Sequence, residues 1–459
     1  MQRRTFLRWV GAGLAASAVG TTITSCVPAP QPTGDVEPIV VIGAGMAGLA
    51  AARRLALAGH PVIVLDARNR IGGRVWTSEQ WDDAPVDLGA SWIHGTEGNP
   101  LTALAEEASA ETVETDGDSA TYYFPDGTRL TKAQEEDLFA LQQTIDDALV
   151  EFSDESDVDA SVRDVALAAL AGTTPTEFDV VLRNFALSEY ELEYAGSTAH
   201  LSAWFYDSDL AHDGPDVLFP QGYGQLTTFL ADGLDIRTGQ VVTAVDWTDA
   251  GAVVTTNGES LAASHVIVTL PIGVLKSGDV VFTPGLPAVT QSAVDSVGVG
   301  VLDKCYLRFD EAFWPDTDWI CTLSPSDEPG EWNEWVSLER ATGVPVLVGL
   351  IAADAAHTME ERSDEEIVAR AMARLRTVYG EIPDPVGAQI TRWARDPFAQ
   401  GSYSCWVLGT PETVRDDLAA SIDGRIFFAG EATHPEYPST VHGAYESGLR
   451  AADEVIAAL

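Results

Sequence analysis

The stretch PIVVIGAGMAGLAAARRLALAGHPVIVLDAR, residues 38 to 68, constrains this chain more than any other. It reads as an apolar strand, a glycine turn, an Ala-rich helix and a second apolar strand that ends on an acid. Gly43, Gly45 and Gly48 complete G-x-G-x-x-G. The first glycine allows a tight turn, the second lets the backbone approach a pyrophosphate, and the third lets helix and strand pack closely, with the phosphates at the helix amino terminus. Asp66 closes the second strand where a ribose hydroxyl is expected to bind. Strand, motif, helix, strand and acid in that order predict a Rossmann-like α/β fold that holds a dinucleotide, NAD or FAD.

One such unit does not fill 459 residues, and 46% apolar content is ample for more than one core, so a multi-domain globular chain is expected. The 70 acidic against 26 basic residues give a formal charge of -44, which argues against nucleic-acid binding and suits cationic small molecules or a salty environment. A solvated acidic surface is the plain reading of the same charge. The amino terminus, QRRTFLRWVGAGLAASAVGTTITSC, carries Arg3 and Arg4, then Phe6 and Leu7, then a weakly apolar run, and looks like a twin-arginine export signal. It ends in Ile23-Thr24-Ser25-Cys26, which resembles a bacterial lipobox in which Cys26 becomes the lipid-modified first residue. Residues 1–34 are therefore expected to be signal, lipobox and tether, with membrane contact only through the lipid anchor and a location at the outer face of the cytoplasmic membrane or outside the cell. The run from Val10 to Ile23 is too short to span a bilayer. Cys305, Cys321 and Cys405 lack metal-type spacing, so neither a zinc site nor a disulfide framework is indicated.

Further along, VVTAVDW, AVVTT and HVIVTLP read as short strands of an antiparallel meander, with Asn257-Gly258 marking a hairpin turn. TKAQEEDLFALQQTIDDALVEF puts Leu138, Leu141, Ile145, Leu149 and Phe152 on one helical face, and SDEEIVARAMARLRTVYG opens with a Ser363/Glu366 capping box and stops at Gly380. The chain has only three lysines, at 132, 276 and 304. Lys304 heads the strand-like run GVLDKCYLRFDEAFW, followed at period two by Tyr306 and Arg308. A lysine on an edge strand is commonly a guard against aggregation. Its rarity here and its apolar, aromatic neighbours favour a buried role instead.

The glycine motif is followed at once by RNRIGGRVWT and DLGASWIHGTEGNP, and later by FPQGYGQL, GLDIRTGQVVTAV, TRWARDPFAQGSYS and FFAGEATHPEYPSTVHGAYESGLRAADEV. From about Ile39 to Ile456 the chain resembles the flavin-containing amine oxidase family, and GASWIHGTEGNP in particular is similar to polyamine and spermine oxidases and their lysine-specific histone demethylase relatives. The resemblance implies an FAD-binding domain from residues 35–115, 216–275 and 400–459, and a discontinuous α+β substrate-binding domain from 116–215 and 276–399. It implies FAD contacts at Gly73, Arg74, Val242, Glu431, Thr440 and Val441 besides the first glycine motif and Asp66. A lysine matching Lys304 hydrogen-bonds through a water to flavin N5, and Trp393 and Tyr403 match the aromatics packed beside the ring and substrate. Thr440 stands where monoamine oxidases carry a second tyrosine. Ser402 stands where they carry the flavin-linking cysteine, so FAD is expected to be noncovalent. For substrate, the resemblance implies His94, Glu97 and Glu193, with acids placed to hold a polyamine's second ammonium. The implied reaction oxidises a C–N bond to an imine that hydrolyses to an aldehyde, with molecular oxygen as acceptor and hydrogen peroxide as product. An L-amino-acid oxidase, which would need a cation such as Arg308 for the carboxylate, a monoamine oxidase, a dehydrogenase passing electrons to another acceptor and a non-catalytic surface flavoprotein are the alternatives.

Overall fold

Residues 37–171, 175–206, 208–325 and 330–459 are described by the structure, a computed structural model. The expected export signal and Cys26 lie outside the described residues. Every residue of the strand Ile39–Ile42 is buried, because it runs through the middle of a parallel sheet covered on both faces. Its neighbours are Val62–Leu65 and His265–Val268, and Asp235–Arg237 and Ile426–Phe428 complete the five-stranded sheet at its two edges. The helices Met46–Leu57 and Val441–Ala458 pack together over one face through Ala47, Ala51, Leu55, Ala451 and Val455.

Assigning HVIV to the meander is corrected here. His265–Val268 pairs in parallel with Ile39–Ile42, and all four of its residues are buried, as both-faced burial requires. The antiparallel meander is instead Val242–Thr248, Gly251–Thr256 and Ser260–Ala263, with Val281–Thr283 added in parallel at its edge.

A second sheet has six strands. Its order is Gly387–Ile390, Leu302–Arg308, Val346–Ala352, Glu334–Ser337, Trp319–Thr322 and Ala120–Tyr123. Side chains alternate between its faces. Cys305, Leu307, Ile320, Trp335, Leu347 and Ile351 pack on one side under the helices Ala353–Glu360 and Asp364–Tyr379. Tyr306, Val336, Val348 and Leu350 face the other way, toward Val86 and Leu88. The Ser363/Glu366 capping box forms as expected. On the helix Lys132–Glu155, Leu138, Ile145 and Leu149 are buried, with Leu141 and Phe152 partly so. Among the described residues no helix is long and apolar enough to cross a membrane.

Candidate active site

Lys304 is on an interior strand, bonded on one side to Val346–Ala352 and on the other to Gly387–Ile390, so the edge-strand reading of this lysine does not hold. It is 4% exposed. Its ammonium donates to Gly89 O (2.6 Å), Asp87 O (3.1 Å) and Ser91 Oγ (2.5 Å), which uses all three of its donors. The ring of Trp92 lies 5.5 Å away. Burial pulls the pKa of Lys304 down to about 8, against the opposing effect of the Asp87 carboxylate. Burial pushes Asp87 up, to about 7, while Thr77, Lys304 and the Tyr223 N–H work to hold it charged.

Trp393 stands beside this cation. Its indole N–H donates to Leu88 O (3.1 Å), one carbonyl before the one that Lys304 holds, and its ring meets Trp76 edge-on at 6.3 Å. Tyr403 lies on the strand Tyr403–Cys405, and its hydroxyl donates to the carbonyls of Leu192 (3.1 Å) and Glu193 (3.2 Å) at the end of the helix Glu177–Tyr194. The Ser402 hydroxyl accepts from Leu302 N–H (2.8 Å) and donates to Leu302 O (2.9 Å), tying this segment to the Lys304 strand. Ser404 faces Glu431 at 2.6 Å, so by strand alternation Cys405 takes the opposite face. There it is buried among Leu201, Ala203 and Tyr206, and burial pushes its thiol up to about 12.

The glycine turn can be tested for what it was built to hold. A Cβ on Gly48 would sit 1.9 Å from Gly43 O, and one on Gly43 would sit 2.4 Å from Thr269 Oγ1, so the chain's own packing demands glycine there. Gly45 differs: its φ of -80° suits any residue, and a Cβ would meet nothing nearer than Gly72 O at 3.9 Å. Space kept open where the protein does not need it fits a ligand at the amino terminus of Met46–Leu57. Gly73 lies against this turn, its missing Cβ 3.3 Å from the Gly45 Cα. Nearby, Arg70 donates to Ile71 O and Gly73 O, while its Nη2 is buried without a partner, which fits an anionic group such as a pyrophosphate. Asp66 accepts from the N–H groups of Ala44 (2.7 Å) and Arg68 (2.8 Å) and keeps lone pairs for a ribose. Val242 is buried at the start of its strand, two residues beyond Gln240, whose N–H donates to Asp66 O (2.8 Å). Arg74 donates to Glu431 (2.9 Å) and to Ser402 O (3.0 Å). Burial alone would raise the Glu431 pKa, but Arg74, Ser404 and Arg415 hold it below the usual carboxylate range. Thr440 caps the helix Val441–Ala458 by accepting from Gly443 N–H (2.9 Å). The residues present fit FAD.

At the outer end His94 is exposed, paired with Asp216 (2.8 Å) and stacked on Trp92 at 6.2 Å, which itself stacks on Trp319 at 6.1 Å. Glu97 is exposed on the same loop, its N–H donating to Asp213 O (2.7 Å). Glu193 is exposed too. Arg308 points outward and pairs with Asp83 (2.6 Å), so the carboxylate it binds is one of this chain's own. Sequence reasoning missed Glu189 and Glu334. Glu334 is opposite Leu350, which is opposite Lys304, so all three share one face of the sheet in a single cross-strand row. Glu334 is hydrogen-bonded to Glu189, which stands four residues before Glu193 on the same helix. Burial and the neighbouring carboxylates push Glu189 well above the usual range, so the pair shares a proton. That i, i+4 spacing was visible in the sequence; its meeting with Glu334 was not.

Comparison with known proteins settles the family. The flavin containing amine oxidoreductase profile matches residues 46–456. The chain belongs to this family. It is 34% identical to polyamine oxidase 4 of Oryza sativa subsp. japonica over 435 residues, covering 91% of this chain and 88% of that protein. It is also 34% identical to lysine-specific histone demethylase 1 homolog 2 of Arabidopsis thaliana, covering 91% of this chain but 58% of that one. A redesigned double mutant of putrescine oxidase shares the fold, with a TM-score of 0.75 and 22% identity over 92% of this chain and 99% of its own. The Rossmann-like amine-oxidase fold and a flavin cofactor follow for this family member.

Proposed function

We propose that this amine oxidase acts on a diamine or polyamine, with the reacting nitrogen near Lys304, Trp393 and Tyr403 and the distal ammonium at Glu189 and Glu334. The observation that carries the reading is the row Lys304, Leu350, Glu334 on one sheet face, which sets the carboxyl pair two strands, about 10 Å, from the lysine backbone. A carboxyl pair sharing one proton carries one negative charge, and Glu189 Oε1 is sealed from solvent without a partner, so an arriving ammonium supplies both charge and donors. Exposed Glu193 extends this acidic track to the surface. FAD, when bound, would supply the acceptor for the hydride that leaves the carbon beside the amine nitrogen, and the reaction with oxygen that yields hydrogen peroxide. The chain's own groups do the rest: Trp393 and Tyr403 bring aromatic rings to the amine end, and Lys304 keeps a fixed cation on the Asp87 and Gly89 carbonyls and the Ser91 hydroxyl, two strands from Glu334. The amine reacts in its deprotonated form, which a neighbouring cation favours.

FAD is held noncovalently in this reading, because the Ser402 hydroxyl is engaged with Leu302 and the Cys405 thiol is buried among Leu201, Ala203 and Tyr206. We also place the protein outside the cytoplasm on a lipid anchor at Cys26, a reading that rests on the amino-terminal sequence.

The test is anaerobic bleaching of the FAD-loaded protein by putrescine, spermidine, spermine, their acetylated forms, a monoamine and an amino acid. Bleaching by diamines or polyamines is expected, with Glu334→Gln raising KM for them by about tenfold or more and leaving a monoamine unaffected. Bleaching by an amino acid alone would overturn the reading.

A further inference from the structure

Asp303 precedes Lys304 and therefore points to the opposite face of the sheet, into the cluster of Val301, Cys305, Ile351, Ala356 and Met359. A fully buried acid in an apolar core is costly, and this one has a second acid for company. Glu360, 2% exposed, ends the helix Ala353–Glu360, and the two carboxyl groups are hydrogen-bonded to each other. We propose that Asp303 and Glu360 are positioning residues that hold the Trp393 segment and the Lys304 strand in register from behind the sheet.

The bonds form a closed circuit. Asp303 Oδ1 accepts from Thr391 Oγ1 (2.7 Å) and from the Trp393 N–H (3.0 Å), and Glu360 Oε1 accepts from the next N–H, that of Ala394 (2.7 Å). Thr391 in turn accepts from the Lys304 N–H through Oγ1 (2.8 Å) and donates its own N–H to Lys304 O (3.0 Å). In front of the sheet the same two residues meet again: the Trp393 indole donates to Leu88 O and the Lys304 ammonium to Gly89 O, consecutive carbonyls of one segment. Cation and indole are thus fixed to each other at both ends, and the rear anchor is the acid pair. Two ionised carboxylates in contact would repel, so the pair needs a proton between them. Burial and the Glu360 neighbour keep it on Asp303, whose Oδ2 has no N–H to accept from. Arg395, 3.9 Å from Glu360 Oε2 and largely exposed, faces the remaining negative charge.

An asparagine reproduces a protonated Asp303, with a carbonyl for Oδ1 and an N–H for Oδ2. The experiment compares Asp303→Ala, Asp303→Asn and Thr391→Val in the FAD-loaded protein by amide hydrogen exchange of the segment 390–396 and by the rate of anaerobic flavin reduction with whichever amine bleaches the native enzyme. Asp303→Ala is expected to speed exchange at Trp393 and Ala394 and to slow reduction about tenfold or more with FAD still bound, as for a lost buried hydrogen bond. Asp303→Asn is expected to recover both. Thr391→Val carries the test if Asp303→Ala does not fold, with slower reduction and retained FAD as the expected result. Native exchange and reduction in Asp303→Ala or Thr391→Val would overturn the proposal, as would Asp303→Asn behaving like Asp303→Ala. The exchange measurement needs no substrate and the rate measurement takes any amine that bleaches the flavin, so the outcome is separate from that of the polyamine reading.

Discussion

Three oxygen acceptors hold the buried Lys304 ammonium, and the cost of that burial is what lowers its pKa to about 8. In the unfolded chain a lysine titrates near 10.4. Between those two values the unfolded chain binds more protons than the folded one, so stability contributed at this site rises with pH across about 8 to 10.4, and the burial penalty is full below that window. Lys304→Met removes the titration. Urea unfolding of both proteins at pH 7 and pH 10.5 is expected to show the native chain gaining about 3 kcal/mol on the variant. No relative gain would mean that Lys304 titrates as an ordinary lysine. The same variant is expected to keep FAD and to lose most of its turnover, read as slowed flavin reduction or reoxidation. Lys304 was legible in the sequence because lysine is so rare there. Asp303, its neighbour, was not, since nothing in one sequence tells a buried acid from a solvated one among 70.

At the level of elements, the glycine turn separates two demands that the motif states together. Gly48 is required by the chain itself, because a Cβ would meet Gly43 O at 1.9 Å. Gly48→Ala is expected to lower stability by about 1–3 kcal/mol even without FAD. Gly45 meets no such demand from the chain, which leaves the ligand as the reason for it: Gly45→Ala is expected to leave the apoprotein's melting temperature within a degree or two, about 0.5 kcal/mol, while weakening FAD binding about tenfold or more. Equal melting losses in the two variants would remove the distinction. This strand–turn–helix–strand unit was readable because its contacts are local and its spacing is rigid. The six-stranded sheet was not, because its rows join residues as distant as Tyr122, Cys321 and Glu334, and nothing local records that pairing. The four-residue strand His265–Val268 was misplaced for a related reason: a short apolar run does not say which sheet it joins.

Across the whole molecule, 70 acidic residues against 26 basic ones produce a field that draws cations toward the surface and is screened by salt. For a dication or polycation, kcat/KM is expected to fall several-fold as ionic strength rises from about 0.01 to 0.5 M, with a much smaller change for a monoamine. Equal salt dependence for both would confine electrostatic recognition to the carboxyl pair itself. The five-stranded sheet also governs when this molecule can come into being. Two of its three interior strands, Ile39–Ile42 and Val62–Leu65, come early, but the third, His265–Val268, comes from mid-sequence, and the edge strand Ile426–Phe428 and the covering helix Val441–Ala458 come later still. A chain emerging from the ribosome cannot close the layer around its glycine turn until residues 426–458 have been made, so the two ends of the sheet have to wait for one another across most of the chain's length.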